Sequence, residues 1–297
     1  MPLYGGIECG GTKVVCLVAS DPGHIQAEVR IPTTTQDETI RNIINFFKPF
    51  IQKRQLSAVG VASFGPLDLD ESSPTYGYIT TTPKPGWQNI NLYGRIQQGL
   101  NLPVAFDTDV NAAAIGEQYW QPSDDKPDPF IYITVGTGIG VGVIVNGSPL
   151  HGLIHTEAGH MVIKHDLRKD PFAGICPYHG DCLEGLASGP SIKKRWGQSP
   201  EILAEHHPAW ELESDYIAWF IVNLIYVYSP RQIVLGGGVS LHPGFLDMVR
   251  QKVPLFNNGY IQSSAVQENI NTYVRAPILG NLSGAFGAIA MAIKLTK

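Results

Sequence analysis

The run Gly10-Gly11-Thr12-Lys13 sits between two apolar stretches, Ile7-Glu8-Cys9 and Val14 to Ala19. Paired glycines let a ligand approach the backbone, and successive N–H groups form an anion nest. Thr12 adds a hydroxyl and Lys13 a cation. Gly136-Thr137-Gly138-Ile139-Gly140 repeats the arrangement between Ile131 to Val135 and Val141 to Val145. Neither run is a P-loop or a dinucleotide fingerprint, because the spacing differs and no helix follows. Each alone also reads as a plain β-hairpin turn. Together they suggest two Gly-rich hairpins facing each other across a cleft, holding nucleotide phosphates from two sides. Gly236-Gly237-Gly238 follows Val234-Leu235; it permits flat backbone against a planar ring, or a tight strand-to-helix turn.

Asp107-Thr108-Asp109-Val110-Asn111 closes a buried strand and opens a helix. An aspartate there is either an N-cap or a general base, and phosphoryl transfer to a hydroxyl needs a carboxylate that accepts its proton. A second cluster runs His155-Thr156-Glu157-Ala158-Gly159-His160, His165, then Cys176 to Glu184. Cys176, His179 and Cys182 have C-x2-H-x2-C spacing, which with one upstream histidine makes a closed, tetrahedral, structural zinc site. His155, His160 and His165 are all candidates for the fourth ligand. Glu157 and Glu184 flank the cluster, placed either to bond sugar hydroxyls or to stay solvated.

The elements that must position these residues alternate strand and helix, hence an α/β fold. A third strand is expected near Ala27 to Ile31, and a helix from an Asp37 N-cap to about Gln52 with Ile40, Ile43, Ile44 and Phe47 buried. Ala58 to Ser63 reads as a strand, residues 68 to 90 as exposed loop, and Val104 to Asp109 as a strand leading to a helix at Asn111 to Tyr119. Ile217, Phe220, Ile221, Leu224 and Tyr228 make a helical stripe. Ser283 to Lys294 reads as a small-residue helix. The Pro-rich break at Pro122 to Pro129 marks a boundary between domains at 1–121, the smaller, and 122–297, the larger. The zinc loop spans 155–184, and helix 283–294 is placed to pack back on the first domain.

The chain has 297 residues, 43% hydrophobic and 16% charged, a globular balance large enough for about two domains. A net charge of −5 offers no footprint for nucleic acid or anionic membrane. No apolar run approaches the ~18 residues of a spanning helix, and the first residues have no signal-peptide pattern. Four cysteines in such a chain fit a cytoplasmic protein in which clustered Cys bind metal.

In order, Gly10 to Lys13, Asp109-Val110-Asn111-Ala112-Ala113-Ala114-Ile115-Gly116-Glu117, Gly136 to Gly140, Glu157-Ala158-Gly159-His160 and Cys176 to Glu184 resemble the ROK family of sugar kinases over nearly the whole chain. Cys176-Pro177-Tyr178-His179-Gly180-Asp181-Cys182 and Ser63-Phe64-Gly65-Pro66 look like its bacterial fructokinase branch. The resemblance implies the actin-like ATPase (ribonuclease H-like) fold, two similar α/β domains with a cleft between them and a zinc-binding loop. By position it implies Asp109 as the base. It implies Gly10, Gly11, Thr12, Lys13, Gly136, Thr137, Gly138, Gly236, Gly237 and Gly238 as nucleotide contacts. Gly65, Pro66, Thr108, Glu157, His160 and Glu184 become sugar-side positions. His160 becomes the fourth zinc ligand beside Cys176, His179 and Cys182, with its other nitrogen toward the sugar.

Thr108 replaces the Asn of many family glucokinases, which puts glucose recognition in question. Glu8 stands where actin-like kinases commonly carry Asp near the metal–phosphate. The implied activity is fructose phosphorylation by ATP and Mg²⁺ in a homodimer that binds neither nucleic acid nor membrane. Mannose, glucose or an N-acylmannosamine are the alternative acceptors. The family's repressors carry a helix-turn-helix ahead of the kinase-like domains; here the first strand begins by about residue 4, so none is expected. A catalytically dead sugar-binding module is disfavoured because Asp109 and both Gly turns are intact.

Overall fold

A computed structural model of the chain describes residues 2–297. The strands are β1 (Leu3–Cys9), β2 (Lys13–Ala19), β3 (Ile25–Pro32), β4 (Leu56–Ser63), β5 (Tyr78–Ile79), β6 (Ile90–Asn91), β7 (Val104–Thr108), β8 (Phe130–Val135), β9 (Ile139–Val145), β10 (Ser148–Pro149), β11 (Gln232–Gly236) and β12 (Val274–Arg275). The helices are α1 (Gln36–Gln52), α2 (Leu92–Leu100), α3 (Asp109–Tyr119), α4 (Leu183–Ala187), α5 (Gly189–Trp196), α6 (Pro208–Tyr228), α7 (Phe245–Asn257), α8 (Ser264–Gln267), α9 (Ile270–Tyr273) and α10 (Ser283–Leu295).

The chain divides into two units. The first holds 1–126, 148–155 and 278–297; the second holds 127–147 and 156–277. This differs from a single cut at 121/122. The first unit recovers 148–155 and the C-terminal helix, and so is not the smaller. The reason is packing: α10 lies against α3, β1 and β4. The small residues of α10 permit that approach. A Cβ on Gly287 would fall on the Ala112 carbonyl, and one on Gly60 would fall on the Ala288 carbonyl.

In the first unit the sheet order is β3-β2-β1-β4-β7. β1 and β2 are antiparallel, whereas β1–β4 and β4–β7 are parallel. The second unit repeats this logic in the order β9-β8-β11-β12: β8 and β9 are antiparallel, and β8–β11 and β11–β12 are parallel. In both units a Gly-rich turn joins the antiparallel pair. Ile7, Val14, Phe47, Trp87 and Ile96 anchor the first core. Ile131, Val141, Phe220, Ile221, Leu235 and Phe245 anchor the second.

Local readings need two corrections. Thr35, not Asp37, caps α1; its hydroxyl accepts the Glu38 N–H, and Asp37 sits in the first turn where it complements the helix dipole. Residues 68–90 are not simply exposed loop. β5 and β6 pair there, and Ile79 and Trp87 are fully buried. Among the described residues no helix is long and apolar enough to cross a membrane.

Candidate functional site

Asp109 is the first residue of α3, directly after β7. β7 runs parallel to β4, so the first residues beyond it sit at the C-terminal end of the strands, where open α/β sheets bind ligands. Thr108 caps α3: its Oγ1 accepts the Asn111 N–H at 3.1 Å. Its buried side chain is thereby committed to the helix start. Asp109 accepts the Val110 N–H at 2.9 Å. Burial raises its carboxyl to about 6, against the pull of that N–H. The group therefore titrates close to neutral pH, the range in which a general base works well.

Asp107 and Asn111 of the same run form a polar cluster with His151, the member that sequence reasoning missed. Asp107 Oδ1 accepts from the Thr108 N–H and from Asn111 Nδ2, both at 2.7 Å. Asp107 Oδ2 lies 3.1 Å from His151 Nε2. This hydrogen bond is the main reason the His151 imidazole is raised above its ordinary range. His151 is 40 residues from Asn111, and no spacing rule links them.

Glu8, next to the end of β1, is level in the ladder with Ala62 and, through it, with Asp107. Burial pushes its carboxyl up to about 7, helped by the Asp109 charge and opposed by Lys13, the Ala285 N–H and Arg30. Its Oε2 is buried with no hydrogen-bond partner. A buried carboxylate oxygen left unpaired is costly.

The first Gly turn is held from behind. Gly10 N–H donates to Lys13 O at 2.9 Å, Thr33 Oγ1 donates to Gly10 O at 2.8 Å, and Thr33 N–H donates to Thr12 O at 3.0 Å. Among the described residues the Gly11 and Thr12 N–H groups find no acceptor, and Gly11, Thr12 and Lys13 are exposed. In the second unit, Gly136 N–H donates to Gly138 O at 2.9 Å and Gly136 O accepts from Gly189 at 2.7 Å. The Thr137 and Gly138 N–H groups are likewise without an acceptor among the described residues. Gly237, the middle residue of the triple-Gly run, has φ +90°, and Ser240 Oγ donates to the Gly236 and Gly237 carbonyls. Space beside Gly238 is open.

On the sugar-side positions, Pro66 O accepts both the N–H and the hydroxyl of Thr80, at 2.8 and 3.0 Å. The Gly65-Pro66 turn is also pinned where His155 Nε2 accepts the Leu67 N–H at 3.0 Å. Glu157 is exposed and heads the short turn Ala158–His160.

His160, Cys176, His179 and Cys182 converge, with all ligand atoms within 4.8 Å of one another. His160 Nδ1 lies 3.5 Å from Cys182 Sγ and 3.7 Å from Cys176 Sγ, and His179 Nδ1 lies 3.6 Å from Cys176 Sγ. Zn–S bonds of ~2.3 Å and Zn–N bonds of ~2.05 Å at a tetrahedral angle give an S···N edge of about 3.6 Å. The donor set and its dimensions therefore fit Zn²⁺. The other two histidines lie elsewhere. His155 is in the first unit against Leu67. His165 is buried between Asp181 Oδ2, at 3.0 Å, and the Asp170 carbonyl, at 2.9 Å. His160 presents Nε2 3.9 Å from Glu184 Oε1, while Glu184 Oε2 accepts the Ile139 N–H at 2.9 Å. Glu184 thus ties the Cys/His loop to the far end of the second Gly turn.

A profile of the ROK family matches residues 4–295. A fructokinase of Zymomonas mobilis subsp. mobilis is 42% identical over 297 residues, covering 98% of this chain and 96% of the relative. A fructokinase of Lactococcus lactis subsp. cremoris is 41% identical, covering 98% of this chain and 97% of the relative. The crystal structure of a ROK hexokinase from Thermus thermophilus matches with a TM-score of 0.78 at 22% identity, covering 99% of each chain, and so shares the fold.

Proposed function

The chain belongs to the ROK family, and on that premise we propose that it is an ATP-dependent fructokinase. It transfers the γ-phosphoryl group of ATP to the C6 hydroxyl of D-fructose, giving D-fructose 6-phosphate and ADP. The observation that carries this reading is identity above 40% with fructokinases over almost their whole length. Geometry supports the chemistry. Asp109, unprotonated above pH of about 6, accepts the hydroxyl proton as the phosphorus–oxygen bond forms.

The open N–H groups of Gly11, Thr12, Thr137 and Gly138 hold phosphate oxygens, with Lys13 adding positive charge. Gly236, Gly237 and Gly238 give the adenosine a side-chain-free surface. Gly65, Pro66, Glu157, His160 and Glu184 contact the sugar, and Thr108 fixes the start of α3 beneath the base. Mg²⁺, when bound with ATP, spreads the charge of the transferring group. Zn²⁺ would be held by His160, Cys176, His179 and Cys182. It is structural: four protein ligands leave no open position for chemistry. It orders the loop that carries Glu184. None of the four cysteines is in a disulfide, which is in keeping with a place in the reducing cytoplasm. A homodimer completes the reading, and a solution mass near twice 32.3 kDa checks it.

The deciding experiment couples ADP release to a spectroscopic readout with Mg-ATP and fructose, mannose, glucose or N-acetylmannosamine. The expected result is the highest kcat/KM on fructose. A higher value on another hexose keeps the mechanism and overturns the substrate. No turnover on any of them overturns the kinase reading.

A further inference from the structure

Lys84 lies in the segment between β5 and β6, outside every motif discussed above, and its Nζ donates to Gly11 O at 2.5 Å and to Thr33 O at 3.5 Å. The geometry points to Lys84 as a positioning residue for the first phosphate turn, and we propose that it locks the Gly11–Thr12 peptide with its N–H facing the nucleotide. This rests on the kinase reading.

In a trans peptide the C=O and the following N–H point in opposite directions. Whatever holds the Gly10 carbonyl therefore aims the Gly11 N–H, and whatever holds the Gly11 carbonyl aims the Thr12 N–H. Thr33 Oγ1 does the first and Lys84 Nζ does the second. These two N–H groups are the ones left without an acceptor. A Gly-Gly turn needs such a clamp, because glycine has little preference between backbone wells and the peptide can otherwise flip. A charged donor makes the stronger bond and polarises the peptide, which strengthens the opposite N–H toward an anion.

The arm that carries Lys84 is built to hold it. Pro83 and Pro85 flank it and restrict the backbone. Beyond them, Trp87 is fully buried and its indole N–H donates to Thr34 O at 3.0 Å. Thr82 is buried too; its carbonyl accepts from Gln88 Nε2 at 2.8 Å. Thr33 and Thr34 belong to the segment that bonds the turn itself, so arm and turn share one anchor. Two residues before Thr82, Thr80 bonds Pro66. The arm thus runs from the proposed sugar-side turn to the proposed phosphate turn.

The test measures Mg-ADP binding by calorimetry, together with steady-state KM for ATP and for fructose. Lys84→Met removes the donor and keeps the bulk. Loss of one such hydrogen bond corresponds to a roughly tenfold weaker Mg-ADP affinity and a similar rise in KM for ATP. The KM for fructose is expected within about twofold and the unfolding midpoint within about 2 °C, since the arm keeps its other anchors. Lys84→Arg is expected to recover most of the affinity. If Lys84→Met does not fold, Lys84→Gln serves, with the same loss expected because its side chain is too short to reach. Unchanged Mg-ADP affinity in a folded variant overturns the proposal, as does an equal loss for ATP and fructose. If the wild-type chain binds no Mg-ADP, the kinase reading itself fails and this proposal falls with it.

Discussion

Glu117 in α3 and Ser283 at the head of α10 are 166 positions apart in sequence and share a hydrogen bond of 2.9 Å. The same buried carboxylate accepts the backbone N–H groups of Ile278 and Leu279, both at 2.9 Å. One side chain therefore gathers the segment through which the chain re-enters the first unit. Glu117→Ala removes the acceptor of the Ile278 and Leu279 N–H groups and of the buried Ser283 hydroxyl, and is expected to cost about 3 kcal/mol. Chemical denaturation read by fluorescence checks this; a change below about 0.5 kcal/mol would show that α10 is held by packing alone.

Asp109→Asn keeps the size of the side chain and removes the base. The expected outcome is a fall in kcat of roughly 10²- to 10⁴-fold with Mg-ADP binding retained. In the wild type, log kcat/KM for fructose is expected to rise with pH and level off above about 6, where Asp109 loses its proton. A flat profile between pH 5 and 8 would remove Asp109 as the titrating base.

Glu8 titrates at about 7 in the folded chain against an ordinary value of 4.5, so the native state holds its proton where the unfolded state has released it. Stability from this group is present at low pH and is lost as pH rises through about 7. Glu8→Gln is expected to raise the unfolding midpoint at pH 8 by roughly 2–4 °C, about 1 kcal/mol, with little change at pH 5. Thermal scans at the two pH values decide it. A variant less stable than wild type at pH 8 would show that Glu8 is needed there as a carboxylate.

Elemental analysis of purified protein is expected to find about one zinc per chain, lost in Cys182→Ser. Chelation should lower the unfolding midpoint and increase hydrogen exchange in 176–184, since metal binding is linked to folding of its loop. Stoichiometric zinc in Cys182→Ser, or none in the wild type, would count against the site.

Much of the site is written in short sequence runs. The Gly turns are legible because phosphate-type chemistry needs contiguous N–H groups, and contiguous groups come from contiguous residues. Cys176, His179 and Cys182 are legible for the same reason: a loop of seven residues can wrap one ion. The α/β class and the duplicated strand–turn–strand unit follow from hydrophobic period and Gly placement, which are local.

Other features depended on distance in sequence. The choice of His160 over His155 and His165 is invisible to spacing, because all three precede the cysteines by similar stretches; only the fold carries His155 to Leu67 and His165 to Asp170. The allocation of 148–155 to the first unit likewise needed the tertiary structure, whereas the return of helix 283–294 is an expectation of the sequence. A linear chain shows a Pro-rich break, but not that a short stretch beyond it belongs with the residues before it. Lys84, Thr33 and His151 carry no motif, since a lysine on a loop is ordinary until a glycine carbonyl 73 residues away is found against its ammonium. The sequence by itself determined the family, the turn chemistry and the metal-binding residue types. The tertiary structure decided how His160, the histidine the family resemblance implies, is brought to the sulfurs, what aims the turn amides, and how far burial raises Asp109 and Glu8. Those depend on desolvation and long-range contacts, and neither is a property of neighbouring residues.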